Sequence, residues 1–218
     1  MVRLEQVTKV YGRGKEQVHA LKSVDLAIRQ GEFVTVVGPS GSGKSTLLLT
    51  IGGMLRPTQG TVQVGGTDVY ALTGRARAKF RAERIGFVFQ MFHLLPYLTV
   101  TGNVLLPGVV AGRKSERKEA LSLLEHFGLG DRVRHKPSEL STGQRQRVAM
   151  VRALMNHPAL LLADEPTGNL DPENARGIMD YFCEFHRKGG TVLLVSHERL
   201  AAEYADRVAT IEDGRVRE

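Results

Sequence analysis

A run of glycines set between a strand and a helix constrains this chain more than any other feature. Phe33-Val34-Thr35-Val36-Val37 is short, β-branched and apolar, and reads as a buried strand. Gly38-Pro39-Ser40-Gly41-Ser42-Gly43-Lys44-Ser45 follows directly. Next comes Thr46-Leu47-Leu48-Leu49-Thr50-Ile51, a helical stretch that stops at glycines. Glycines let the backbone curl until successive N–H groups converge on one point, and the helix N-terminus adds the positive end of its dipole there. A strand, a tight loop and a helix in that order belong to an α/β core.

The remaining pattern agrees. In residues 2–30, Val2, Leu4, Val24, Leu26 and Ile28 alternate with polar positions, as a half-exposed antiparallel sheet requires. Thr61–Val64 and Ile85–Phe89 read as strands, and residues 75–84 as a basic helical segment. Residues 91–155 read as mostly helical, with an apolar stripe at Ala120, Leu121, Leu123, Leu124 and Phe127. Leu160–Ala163 and Thr191–Val195 are buried-strand candidates that bracket a helix near 173–187, and Val208–Ile211 reads as a final strand before an Asp213-Gly214 turn. The expectation is one domain over residues 1–218: an α/β core, an N-terminal antiparallel β subdomain, and a helical subdomain inserted at about 91–155.

The glycine run matches G-x-x-x-x-G-K-[ST] in full, in the strand–loop–helix context that a phosphate-binding loop needs. Lys44 supplies a mobile charge for β- and γ-phosphates, and the Ser45 hydroxyl can ligate Mg²⁺. Leu160–Ala163 delivers Asp164 and Glu165 at the C-terminal end of a strand, where α/β sheets place their chemistry. Asp164 is suited to hold Mg²⁺ through water, and Glu165 to polarise an attacking water.

Composition closes off other classes. A single cysteine, Cys183, excludes a disulfide scaffold and a cysteine-ligated zinc site. His19, His93, His126, His135, His157 and His186 show no metal-ligand spacing. The chain begins without an apolar signal core, and no window approaches the ~18 apolar residues of a membrane span, so any membrane role is expected to be peripheral. The net charge of +7 points to an anionic partner. Arg113, Lys114, Arg117 and Lys118 alternate with acids and read as a solvated helix face.

Leu140-Ser141-Thr142-Gly143-Gln144 followed by Arg145-Gln146-Arg147 resembles the signature segment of ABC-type ATPases. Residues 163–171, AlaAspGluProThrGlyAsnLeuAsp, resemble that family's Walker B and D-loop. The wording around Gln90 is most similar to the branch of lipoprotein-releasing, macrolide-exporting and cell-division ATPase subunits. The resemblance implies a P-loop NTPase core of RecA-like type, with ATP and Mg²⁺ as cofactors. It implies that Tyr11 stacks on adenine, that Gly38 to Ser45 with Thr46 hold the phosphates, and that Gln90 lies near Mg²⁺ and the attacking water. By the same resemblance Ser141, Thr142, Gly143 and Gln144 reach the ATP of a second copy, Asp171 crosses between the copies, and His197 contacts the γ-phosphate. Thr142 departs from the family, which usually has glycine there, and so puts a Cβ beside a phosphate-binding turn.

The implied partners are ATP, a second copy arranged head to tail, and a separate transmembrane permease subunit, on the cytoplasmic face of a membrane. A docking groove is expected along Met91, Phe92, Leu94, Leu95, Tyr97 and Leu98. The surplus charge at Arg75, Arg77, Lys79, Arg81 and Arg84 is read as suited to anionic lipid. The alternative is an ABC-type ATPase acting on nucleic acid. The single phosphate loop, the absence of a long heptad region and the absence of a zinc cluster weigh against it. A mechanical role without cargo is the third reading.

Overall fold

The computed structural model describes residues 1–12, 14, 16–112, 117–198 and 200–217. The chain opens with β1 (Val2–Tyr11), β2 (Val18–Ile28) and β3 (Phe33–Val37), then α1 (Lys44–Ile51), β4 (Gln59–Val64) and β5 (Thr67–Asp68). It continues through α2 (Gly74–Arg84), β6 (Ile85–Phe89), α3 (Val100–Ala111), α4 (Arg117–His126) and α5 (Thr142–Leu154). It closes with β7 (Leu160–Asp164), α6 (Pro172–Arg187), β8 (Thr191–Ser196), α7 (Leu200–Glu203), β9 (Arg207–Glu212) and β10 (Arg215–Arg217).

Two sheets form. The antiparallel one runs β2-β1-β4-β5, and the larger one runs β10-β9-β3-β8-β7-β6. Strands β9, β3, β8, β7 and β6 are parallel, and β10 turns back antiparallel on β9. The tail therefore holds one more strand than the sequence pattern indicated.

Strict two-residue periodicity explains why the central strands are apolar throughout. Leu160 and Leu162 of β7 join one core with α1 and the antiparallel sheet, while Leu161 and Ala163 face the other with α5 and α6. β8 divides the same way, with Leu193 and Val195 on one side and Val192 and Leu194 on the other. A strand covered on both faces has no solvent side to mark with a polar residue. In the antiparallel sheet only one face is covered, and Val2, Leu4, Val24, Leu26 and Ile28 are its buried positions.

The helical stretch between β6 and β7 starts later than its composition implies. Residues 91–99 are irregular, and helix begins only at Val100. Phe92 and His93 have φ of 58° and 47°, which no helix accepts. The buried side chain of Asn103 replaces the missing backbone ladder. Its Oδ1 accepts from Leu95 N–H at 2.7 Å, and its Nδ2 donates to the carbonyls of Leu95 at 3.1 Å and Thr99 at 3.1 Å. Residues 113–116 of the expected solvated basic face lie outside the described residues; Arg117 and Lys118 are exposed.

The basic segment in α2 is not the open charge surface expected. The Arg77 guanidinium lies 5.3 Å from the Tyr70 ring and donates to Leu72 O at 3.1 Å. Arg81 donates to Gly53 O at 3.1 Å, and Lys79 sits 3.8 Å from Glu83. Packing thus occupies two of the cations read as lipid-facing, Arg77 and Arg81, and Arg75, Lys79 and Arg84 are left exposed.

Asn103→Ala removes a buried group that satisfies several backbone partners at once. It is expected to cost about 2–3 kcal/mol, read as a lower urea midpoint with unchanged slope.

Candidate functional site

The loop after β3 is built as its glycines require. Gly41 and Gly43 have φ of 79° and 109°. A Cβ on Gly43 would stand 2.3 Å from the Ala20 carbonyl of β2, so the loop is pressed against the antiparallel sheet and only glycine fits. Gly43 precedes the first turn of α1 with no side-chain cap, which leaves the turn's N–H groups free for an anion.

Lys44 is buried and folds back over its own loop. Its Nζ donates to Gly38 O at 2.8 Å and Pro39 O at 3.0 Å, and lies 3.7 Å from Glu165 Oε1. His197 Nδ1 approaches the other carboxylate oxygen, Glu165 Oε2, at 2.6 Å. Lys44 and His197, from the segments that follow two neighbouring parallel strands, thus share the carboxylate of Glu165, which follows a third. Glu165 has a left-handed backbone, φ 45°, with its N–H donating to Val195 O at 2.9 Å. Such a φ on a residue with a Cβ is uncommon, and here the neighbouring strand's carbonyl anchors it.

Ser45 Oγ donates to Asp164 Oδ1 at 3.1 Å. Burial pushes the Asp164 carboxyl above the usual aspartate range, opposed chiefly by that Ser45 bond. Gln90 follows β6, whose Phe89 pairs with Asp164, so Gln90 stands at the same sheet edge. Ser45, Asp164 and Gln90 present oxygen donors only, a set that suits Mg²⁺ completed by phosphate and water. Among the described residues no group of three or more His, Cys, Asp or Glu could hold a metal by itself.

Tyr11 ends β1 and is 42% exposed, with Lys9 Nζ 5.2 Å from its ring. It pairs with Val18, two residues before the Ala20 that meets Gly43.

The Ser141–Gln144 segment lies at the start of α5. Ser141 caps it: its Oγ accepts from Gln144 N–H at 3.2 Å, and Gln144 Oε1 accepts from Ser141 N–H at 2.9 Å. Thr142 is the first helical residue and has no left-handed φ, so a threonine where the family usually has glycine strains nothing in the backbone. Its hydroxyl accepts from Arg145 Nη2 at 3.3 Å. Asp171 caps α6 and accepts from the backbone N–H of Asn174 at 3.0 Å and from its Nδ2 at 2.7 Å. These hydrogen bonds from Asn174 hold its carboxyl below the usual range. No hydrogen bond or ion pair among the described residues joins the Ser141–Gln144 turn or Asp171 to the Lys44 cluster; they stand where α5 and α6 start.

Known proteins carry the same arrangement. The ABC transporter family model matches residues 21–168. The ATP-binding protein YknY of Bacillus subtilis (strain 168) is 46% identical, covering 99% of this chain and 95% of that protein. The macrolide export ATP-binding/permease protein MacB of Salmonella typhi is 45% identical over 99% of this chain, which spans 34% of its length. The dimeric structure of the ATP-binding cassette MJ0796 bound to ADP and Pi superposes with a TM-score of 0.94 at 42% identity, covering 100% of this chain and 97% of that one. The chain belongs to the ABC transporter family. It is an ATP-binding and ATP-hydrolysing cassette, and the nucleic-acid alternative finds no support in these relatives.

The ABC cassette has an apolar cleft of about 310 Å³ between α2, β6, α3 and α5. Met54 of the α1–β4 connection, Phe87 and Phe89 of β6, Leu106 and Val110 of α3, and Arg152 of α5 line it. Sequence reading did not single out this cleft; the groove it expected, along 91–98, has its own recess, lined by Met91, Phe92 and Leu94 with Thr142 and Arg145. Leu94 packs on the core, while Met91 and Tyr97 are 68% and 70% exposed. Arg152 was not singled out either. It is buried and donates to the carbonyls of Phe92 at 2.7 Å and His93 at 2.5 Å, holding the left-handed pair beside Gln90. No local motif marks such a contact, because it joins residues far apart in the chain.

Asp164→Asn tests the burial penalty. Because the folded carboxyl titrates above its ordinary value, ionising it costs stability at neutral pH, and that cost is absent below the ordinary aspartate range. The variant is expected to melt higher than the parent at pH 7, with the gain vanishing as pH falls towards 4, followed by circular dichroism.

Proposed function

We propose that this cassette works as one of two chains that close head to tail on two ATP molecules and drive a transmembrane permease partner. The observation that carries the reading is the convergence of Lys44 and His197 on the Glu165 carboxylate, 3.7 and 2.6 Å from its two oxygens, at the edge that also carries the phosphate loop. Helices α3 to α5 would act within the single 1–218 domain as the inserted helical subdomain that presents Ser141 to the second chain.

Each residue then has a task. The N–H groups of Gly38 to Ser45, with Pro39, Ser40, Gly41, Ser42, Gly43 and Thr46 shaping the loop and first turn, hold the phosphates. Lys44 leaves the Gly38 and Pro39 carbonyls for the β- and γ-phosphates. Ser45, Asp164 and Gln90 would hold Mg²⁺, which when bound offsets phosphate charge and fixes the γ-phosphate for in-line attack. Glu165 accepts the proton of the attacking water as its oxygen bonds to the γ-phosphorus, and the bond to the β-γ bridging oxygen breaks to leave ADP and phosphate. His197 exchanges Glu165 for the γ-phosphate. Tyr11 stacks on adenine. Ser141, Thr142, Gly143 and Gln144 bring the N-terminal turn of α5 to the second chain's ATP, and Asp171 meets that chain across the interface.

The split between the Lys44 cluster and the α5 turn supports a two-chain site, because one chain cannot fold one onto the other without unpacking α5 from β6 and α6. The apolar cleft beside β6, next to the Arg152-held loop, supports a helical segment of the permease as the recipient of closure. No helix among the described residues is long and apolar enough to cross a membrane, so the membrane attachment we propose is peripheral and cytoplasmic, through that partner.

Glu165→Gln is expected to keep ATP binding, lower hydrolysis by about 10²–10⁴-fold, and accumulate an ATP-bound dimer by size exclusion. Turnover at the parent rate would refute the role given to Glu165.

A further inference from the structure

We propose that Asn174 is a positioning residue for ATP hydrolysis. Its amide bolts Asp171 to the turn of α5 that carries Ser141 and Gly143, so that both reach the second chain's nucleotide as one rigid piece. The proposal rests on the two-chain reading above.

The amide uses both its ends. Nδ2 donates to Asp171 Oδ2 at 2.7 Å, and Oδ1 accepts from Arg147 Nη1 of α5 at 3.2 Å. Capping α6 does not need this side chain, because the backbone N–H of Asn174 already donates to Asp171 Oδ1 at 3.0 Å. The side-chain bonds are therefore additional, and they run between two helices that start side by side.

Gly143 shows how closely the amide is seated. Its φ is not in the left-handed region, so the turn itself does not demand glycine. A Cβ there would instead stand 2.5 Å from Asn174 Oδ1 and 2.7 Å from its Cγ. Glycine at 143 is the gap into which the amide fits. Only an amide meets both neighbours: it offers a donor to the Asp171 carboxylate and an acceptor to the Arg147 guanidinium. A carboxylate at 174 would face another carboxylate, and an alkyl side chain would strip a partner from Arg147, whose buried Nε already has none.

A loose Asp171 and a loose α5 turn would each have to be ordered when two chains close, and placing them beforehand removes that cost from the closed state. The effect should fall on turnover and dimer closure, since the phosphate loop that binds ATP within one chain is elsewhere.

The test uses the full chain and a double-mutant cycle of Asn174→Ala with Asp171→Ala, with Asn174→Asp as a second variant. Asn174→Ala keeps the backbone cap, and its fold is checked by melting and by equilibrium ATP binding to the single chain. We expect Asn174→Ala to lower kcat about tenfold and to leave that binding within about twofold. Asn174→Asp should lose more, and Asn174→Ala should cost less than about twofold in the Asp171→Ala background. In the Glu165→Gln background, Asn174→Ala should weaken ATP-dependent dimerisation. A parent-like kcat for Asn174→Ala beside a damaged Asp171→Ala overturns the proposal and leaves the two-chain reading standing, and so do additive losses. A drop in ATP binding that tracks a drop in melting temperature assigns Asn174 to stability alone and also overturns it. An unimpaired Asp171→Ala removes the reading of Asp171 at the interface, and the proposal with it.

Discussion

Parallel hydrogen bonding pairs Val37 with Ser196, Asp164 with Val195 and Phe89 with Asp164, and the rest of the site depends on that register. It brings the C-terminal ends of four strands to one edge, so that the phosphate loop, Gln90, the Asp164-Glu165 pair and His197 all leave the sheet together. A slip of one residue would exchange the two cores and turn Leu161 and Leu162 onto each other's faces. The two apolar cores thus hold the catalytic edge in place as well as the fold.

At that edge the charges satisfy one another before any nucleotide arrives. Lys44 is shared by two backbone carbonyls and Glu165, and Glu165 by Lys44 and His197. A buried lysine or a mostly buried carboxylate without partners would be costly. In the two-chain proposal the phosphate oxygens of ATP take over contacts that Lys44 and His197 make with Glu165 here, so binding exchanges partners. Proteins reach such an arrangement by placing groups in advance, which is the main way a site lowers the barrier to phosphoryl transfer.

The region where α5 and α6 start has a different mechanical basis. Short polar side chains link the elements that follow β7 to the helices around them: Gln146 Nε2 to Pro166 O at 2.7 Å, Thr167 Oγ1 to Glu198 Oε2 at 2.7 Å, and Asn174 between Asp171 and Arg147. Arg152 performs the same task at the other end of α5, tying it to the loop beside Gln90. Helix α5 is fastened at both ends to segments that leave the sheet edge.

Local sequence determined much of this. The strand, glycine loop and lysine stand consecutively in the chain, and their backbone conformations follow from residue type, so Gly38 to Ser45 could be read directly. The same holds for Asp164 and Glu165, at and just past the end of β7. Sequence reading failed where the deciding contact is long-range. Residues 91–99 have helical composition, yet Asn103 and Arg152 hold them as a loop. The arginines of α2 look like open charge, yet Tyr70 and the Gly53 carbonyl take two of them. At Gly143, which the sequence marks only as a signature-segment glycine, the missing Cβ also makes room for Asn174. Backbone propensity acts over a few residues and is written into them. Side-chain partners separated by tens of residues are chosen only when the sheets and helices have packed, and that choice belongs to the tertiary structure.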